Sequence, residues 1–305
     1  MALSLGCGPT TKKLMLNKFQ HTPVLLNESI ELLNLKAGGT YVDGTLGGGG
    51  HTEKIKAQNS NIKVIGIDQD TEALAAAKER LAKFANIEYI HDNFGNLKNI
   101  LKEPVDGILL DLGISSYQID EASRGFSIRQ DGPLDMRMDK TGKLTAQAIL
   151  HQYSEEELVK IFSEYGEERF SKRIARAICQ KRDEKLLLST FELKEIIENS
   201  IPTWKKRESV TRIFQALRIA VNQELDNLKT ALQDGIELLK PGGRIVVLSY
   251  HSLEDRIVKQ TFRAAKQDGK LKILTKKPVY ATEAEANSNP RAKSAKLRAG
   301  EKLCG

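Results

Sequence analysis

The spacing of apolar and polar positions changes character twice along this chain. Short apolar runs at 40–43, 62–68, 87–91 and 106–112 read as buried strands. Between the second and third, Thr71 to Phe84 places Leu74, Ala77, Leu81 and Phe84 on one helical face. Strands and helices taking turns predict a parallel sheet covered by helices, because parallel neighbours need a crossover between them. From about 113 to 209 that rhythm stops. Gly113 to Lys143 is loop-like, rich in Gly, Asp, Ser and Arg, and helical patterns follow it. Ser154 and Glu157 form a capping box ahead of Leu158, Val159, Ile161 and Phe162. Phe170, Ile174, Ala177 and Ile178 share a face, as do Leu193, Ile196 and Ile197. The sheet rhythm then returns. Leu239-Lys240-Pro241-Gly242-Gly243 stops a helix ahead of a strand from Arg244 to Ser249. Ser252 to Lys266 reads as a further helix and Leu271 to Leu274 as a last strand.

The expected architecture is an α/β sheet domain from two segments, 21–112 and 210–280, with a helical subdomain inserted at 113–209. The insert would lie over the C-terminal edge of the sheet, where open α/β sheets bind their ligands. Residues 1–20 read as an extension and 281–305 as a basic tail.

Composition narrows the class. With 305 residues, 40% of them hydrophobic and 29% charged, the chain reads as globular. It has no apolar run long enough to cross a bilayer, and residues 1–20 lack the apolar core of a signal peptide. Cys7, Cys179 and Cys304 are too far apart to suggest a disulfide framework or a zinc site. A reducing cytoplasm, no membrane and no metal are the expectations. The net charge of +7 is carried by the ends, +3 in residues 1–20 and +5 from residue 271 onward, leaving −1 between them. Such charge suits contact with nucleic-acid phosphates, and equally a solvated tail.

The chemistry centres on Asp43-Gly44-Thr45-Leu46-Gly47-Gly48-Gly49-Gly50-His51, between a strand and a helix. Four glycines in a row let the backbone take positive φ and approach a ligand closely. Asp68 closes the next strand. A glycine turn after one strand and an acid at the tip of the next suit a ligand carrying a ribose between an adenine and a charged tail. The spacing is not that of a dinucleotide fingerprint, and no Gly-Lys-Ser/Thr follows to make a phosphate-binding loop. A turn of the form D-x-T-x-G-x-G, with Pro-Gly-Gly before a late strand, resembles the S-adenosylmethionine site of Rossmann-like methyltransferases. On this reading Asp68 takes the ribose hydroxyls. Phe94 lies against the adenine or belongs to the core. Asp111, ending the fourth strand, faces the reacting centre or pairs with a base such as Arg129 or Arg137. His51 with Glu53 has the H-x-E spacing of nucleobase deaminases, but the Pro-Cys-x-x-Cys that zinc needs there is missing.

Longer strings sharpen the resemblance. They are His21-Thr22-Pro23-Val24-Leu25-Leu26-Asn27-Glu28, Arg124-Gly125-Phe126-Ser127 and Gly132-Pro133-Leu134-Asp135-Met136-Arg137-Met138-Asp139. Tyr165-Gly166-Glu167-Glu168-Arg169-Phe170 and Arg212-Ile213-Phe214-Gln215-Ala216-Leu217-Arg218-Ile219 follow. Last come His251-Ser252-Leu253-Glu254-Asp255-Arg256-Ile257-Val258-Lys259 and Asn289-Pro290-Arg291-Ala292-Lys293-Ser294. In order and spacing, over about residues 21 to 298, these resemble the bacterial 16S ribosomal RNA (cytosine-N4)-methyltransferase family. The resemblance implies a Rossmann-like class I methyltransferase fold with an inserted helical subdomain. It implies methylation of the N4 amine of one cytosine in the decoding region of 16S rRNA, with S-adenosylmethionine as donor and 16S rRNA or the small ribosomal subunit as partner. It also implies donor contacts at Gly49, Gly50, His51, Asp68, Phe94, Asp111 and Gln118, with Asp111 the catalytic residue. The chain departs from the pattern at Tyr117, where many relatives carry a smaller residue or proline. A non-catalytic assembly factor with a vestigial donor pocket and a nicotinamide-dependent dehydrogenase are the alternatives.

A carboxylate of ordinary pKa, about 3.9, cannot strip a proton from a neutral cytosine amine before attack. Asp111 is therefore expected to accept an N4–H hydrogen bond and localise the lone pair on nitrogen. RNA contacts are expected from Lys172, Arg173 and Arg176 in the insert, from the basic tail, and from Lys205, Lys206 and Arg207 beside Trp204. Trp204 packing the insert, with its neighbouring charges in water, is the other reading.

Overall fold

The computed structural model describes residues 23–304, so the 1–20 extension and His21-Thr22 lie outside the described residues. The strands are β1 (Thr40–Asp43), β2 (Lys63–Asp68), β3 (Ile87–His91), β4 (Val105–Asp111), β5 (Leu239–Ser249), β6 (Leu271–Ile273) and β7 (Lys296–Lys302). They form one sheet in the order β3-β2-β1-β4-β5-β7-β6. β1 to β5 are mutually parallel where they pair, while β7 runs antiparallel to both β5 and β6. The order reverses between β1 and β4. That switch point is where the connections leave in opposite directions and open a crevice at the strands' C-terminal ends.

By contacts, one compact unit takes the chain up to Gly113 and again from Leu225, and a second unit is Ile114–Glu224. In the first, the two faces of the sheet carry separate apolar clusters. One includes Val42, Ile67, Leu110, Ile245 and Phe262, the other Val24, Tyr41, Val64, Leu109 and Leu248. Alternating side chains of a strand covered on both faces require this division. The second unit has a core of its own from Phe162, Ile174, Leu193, Phe214 and Leu217, among others. Its helices include 155–164, 171–184, 190–200 and 206–222, the first opened by the Ser154–Glu157 capping box read from the sequence.

Two expectations need correction. Residues 206–222 form a helix that belongs with the insert and not with the sheet domain, so the second unit runs past 209 to Glu224. Its apolar face, Val210, Ile213, Phe214 and Leu217, joins the insert's core. The segment 281–305 is not simply a tail, because Lys296–Lys302 becomes β7, an interior strand. Its charges are compensated by distant partners. Arg298, 7% exposed, donates to Asp255 Oδ1 at 2.6 Å, and Glu301 accepts from Arg244 Nε at 2.8 Å. The Pro-Gly-Gly turn sits inside β5. There Val105 pairs with Leu239 and Gly107 already with Arg244, so the intervening residues bulge out around Gly242 at φ +73°.

Candidate active site

The site is assembled at the C-terminal ends of β1, β2 and β4. β1 delivers Asp43, which is 1% exposed. The chain then turns through the glycines, anchored by Gly44 N–H on the Leu109 carbonyl at 2.9 Å and Leu46 N–H on the Ile67 carbonyl at 2.9 Å. A Cβ at Gly44 would lie 2.6 Å from the buried Leu110 Cδ2 and 3.4 Å from Phe94 Cβ, so a larger residue there would force Leu110 to shift. Gly47 and Gly49 hold φ of +51° and +78°, the left-handed region that side chains disfavour. Gly49 caps the helix Gly50–Gln58, whose first turn carries His51 and Thr52 inward.

Asp68 fastens this turn from the neighbouring strand. Its Oδ2 accepts from the Gly47 N–H at 2.7 Å and its Oδ1 from the Asp70 N–H at 2.8 Å. Two bonds leave part of the acceptor capacity of a carboxylate unused. Asp111 ends β4. Its backbone N–H donates to Thr45 Oγ1 at 2.6 Å, its Oδ1 accepts from the Tyr250 hydroxyl at 2.6 Å, and its Oδ2 lies 3.7 Å from His51 Nδ1. Asp43 Oδ2 accepts from Thr52 Oγ1 at 2.7 Å.

Three carboxylates thus share one crevice, and burial is the first cause of a raised pKa in each. Asp68 and Asp111 are both lifted from an ordinary 3.8 to about 6, and Asp43 is raised as well. The Tyr250 hydroxyl and the charge of Arg291 work against burial at Asp111, while Glu254 works with it. Burial also lowers the His51 pKa, against the pull of Asp43, so the ring is neutral near pH 7. The Tyr250 phenol, raised well above its ordinary value by burial and by Asp111, stays protonated.

The residues fit S-adenosylmethionine on three counts. Beyond Gly47, where a Cβ would project, only the Thr45 carbonyl oxygen among the described residues comes within 4 Å, at 3.9 Å, so the turn leaves room for a closely seated group. Among the described residues Asp43 Oδ1 and His51 Nε2 are buried with no hydrogen-bond partner, which leaves an acceptor and a ring nitrogen to be satisfied. A crevice lined by three carboxylates also favours a ligand with sulfonium and ammonium charges, whereas a pyrophosphate would be repelled.

The structure brings Gly49, Gly50, His51, Asp68, Phe94 and Asp111 into the sheet unit around this crevice. Phe94 opens the short turn after β3 and packs beside the core. Gln118 belongs to the second unit, where its side-chain oxygen accepts from the Ser115 N–H at 3.1 Å and closes a capping box. Arg137, considered as an Asp111 partner, is bound by Asp135 at 2.7 Å. Asp43, Thr45 and Tyr250 are additions that sequence reading did not assign. The first two lie in the glycine run itself; Tyr250 carried no signal, since only the pairing of β4 with β5 brings it to Asp111.

A switch-point crevice with a glycine turn on β1, an acid ending β2 and a further acid ending β4 defines a Rossmann-like, class I methyltransferase. The model of the MraW methylase family matches residues 18–303. The chain belongs to that family, and the dehydrogenase alternative falls with it. The ribosomal RNA small subunit methyltransferase H of Halothermothrix orenii is 49% identical over 307 residues, covering 93% of this chain and 99% of its own. The protein of the same name from Carboxydothermus hydrogenoformans is 48% identical over 308 residues, covering 94% and 99%. Among solved structures, an rRNA methylase from Streptococcus thermophilus gives a TM-score of 0.45 at 13% identity, covering 92% of this chain and 94% of its own. No helix among the described residues is long and apolar enough to cross a membrane.

Proposed function

We propose that this methylase transfers a methyl group from S-adenosylmethionine to the exocyclic N4 amine of a cytosine in the decoding region of small-subunit ribosomal RNA, in the cytoplasm. The observation that carries the reading is Asp111. It is a half-buried strand-end carboxylate at the switch point, held by Tyr250 and Thr45 in a chain whose relatives at 49% and 48% identity are named for ribosomal RNA methylation.

When bound, the donor supplies a methyl group on sulfonium, an electrophile that carries its own leaving group. Asp68 would accept the ribose hydroxyls with the lone pairs that Gly47 and Asp70 leave open. The turn at Gly47 to Gly50 would admit the methionine portion, and Phe94 would offer its ring to the adenine. Asp111, mostly ionised at neutral pH with a pKa of about 6, accepts an N4–H hydrogen bond from cytosine. That contact concentrates the lone pair on nitrogen instead of in the ring. Transfer would form the N–C bond as the C–S bond breaks with its electron pair left on a neutral thioether, and Asp111 or water would take the surplus proton of the positive nitrogen. Holding the two reactants in line contributes on the order of 7–11 kcal/mol, so the chain needs to supply little beyond position and one acceptor.

Purified small subunits lacking the modification, incubated with methyl-labelled donor, are expected to gain one labelled N4-methylcytosine on base-resolved mapping. Label at another base would overturn the assignment of target. Donor binding seen by calorimetry without any transfer would favour the vestigial-pocket alternative.

A further inference from the structure

The second unit carries an aromatic side chain that its core does not use. Trp204 is 77% exposed, the largest exposure among the bulky apolar side chains described. It sits on a single helical turn, Thr203–Lys205, held on both sides by buried residues, Ile201 at 6% exposure and Val210 at 2%. The indole is therefore presented on an anchored support and not on a loose loop. Its surroundings are basic. Lys205 Nζ stands 5.1 Å from the ring centroid, Arg207 is exposed, and Arg212 follows one helical turn after Glu208. Glu208 is the acid in the middle. Lys205 and Arg212 both pair with it, at 2.5 and 2.6 Å, and the charge of Arg169 reaches it from the start of the helix 171–184.

An exposed indole in an excess of cations fits one partner chemistry well. Any nucleobase offers a π-face to stack on the ring, while lysine and arginine hold the phosphates on either side. A protein partner would be expected to bring a wider apolar surface than one ring among charges. We propose that Trp204 is a stacking platform for an unpaired base of the RNA substrate, with Lys205, Arg207, Arg212 and Arg169 as its phosphate contacts and Glu208 as a built-in competitor for them. The proposal rests on the reading of the protein as an RNA methylase and adds where the RNA is gripped.

The chain contains one tryptophan, so its emission reports this position alone. Titration with a single-stranded oligoribonucleotide from the decoding region, and separately with poly(C), is expected to quench that emission and to do so less as salt rises. Trp204→Ala should raise the KM for small subunits about tenfold with kcat retained, in line with the usual effect of removing a stacking ring, and Trp204→Phe should recover most of it. Glu208→Gln should tighten RNA binding several-fold, a gain that a structural role would not produce. RNA retained on a filter while emission stays constant would overturn the proposal, as would failure of both RNAs to bind. Subunit KM unaltered in Trp204→Ala, or emission responding to ribosomal protein and not to RNA, would overturn it too. Failure of the functional reading looks different: quenching by RNA would persist while labelled methyl transfer to small subunits was nil.

Discussion

The Tyr250 hydroxyl donates to Asp111 Oδ1 at 2.6 Å, joining the end of β5 to the end of β4 across the crevice. Because the phenol stays protonated, it always acts as donor and leaves Oδ2 as the carboxylate's outward acceptor. It also opposes the effect of burial on Asp111. Tyr250→Phe should therefore push the Asp111 pKa above its present value of about 6. The acidic limb of the pH–rate profile moves to higher pH, with a loss of roughly threefold to tenfold at pH 7, since a hydrogen bond to a charged group contributes about 1.5–3 kcal/mol. An unshifted limb would show that Tyr250 does not tune this acid.

Asp111→Asn keeps the shape of the side chain but removes the charge that the proposed mechanism uses to accept the amine hydrogen bond. Turnover should fall well over tenfold, with calorimetric donor affinity changed by only a few-fold. A smaller loss of turnover with donor affinity intact would remove Asp111 from the reaction.

Glycine substitutions divide by what their added methyl meets. At Gly47 the space is open but φ is +51°, so Gly47→Ala should fold with a penalty of about 1–2 kcal/mol and lose donor affinity. At Gly50 a Cβ would fall 2.4 Å from Pro23 Cγ. Gly50→Ala should then destabilise by overpacking, about 1–3 kcal/mol, whether donor is present or not. Thermal melts with and without S-adenosylmethionine distinguish the two cases.

Protonation should act in opposite directions on the free protein and on its complex. Asp68 and Asp111 have folded pKa values of about 6 against 3.8 ordinarily, so the native state binds more protons than the unfolded chain between those limits. Their unfavourable contribution is complete above about 6 and is relieved as pH falls toward 3.8. On the proposed reading donor binding needs the ionised Asp68 carboxylate, and at pH 5 that group is ionised about one part in ten. Affinity measured by calorimetry should thus drop roughly tenfold from pH 7.5 to pH 5, while the free protein gains stability from these groups. Equal affinity at both values would mean that Asp68 does not contact the donor in its charged form.

The donor half of the molecule was legible because its signals are local. An apolar run ending in an acid, such as Val64-Ile65-Gly66-Ile67-Asp68, is a buried strand whose tip reaches the crevice, and a run of glycines has few other uses between two such strands. β7 was not legible, because Lys296-Leu297-Arg298-Ala299-Gly300-Glu301-Lys302 has the composition of a solvated segment. Asp255 on the helix 252–267, Arg244 on β5 and the carbonyls of Ile236 and Glu237, which accept from Lys302 Nζ, make its charges tolerable inside a sheet, and none is near it in sequence. The helix 206–222 has the periodicity of its neighbours in the insert, but no punctuation in the sequence assigns it to one side or the other. Gln118 is implied only by family resemblance, although the cap that positions it has the Ser-x-x-Gln signature of a capping box, Ser115 to Gln118.

Arg298 has one further effect, on alignment. Slipping β7 by one residue along β5 would turn every side chain to the opposite face and strand the guanidinium away from Asp255 in an apolar layer. The ion pair therefore acts as an index mark that admits a single setting of the strand. Because Arg291 lies just upstream and its charge acts on Asp111, a mis-set strand would alter the acidity of that carboxyl as well as the packing at the sheet's far side.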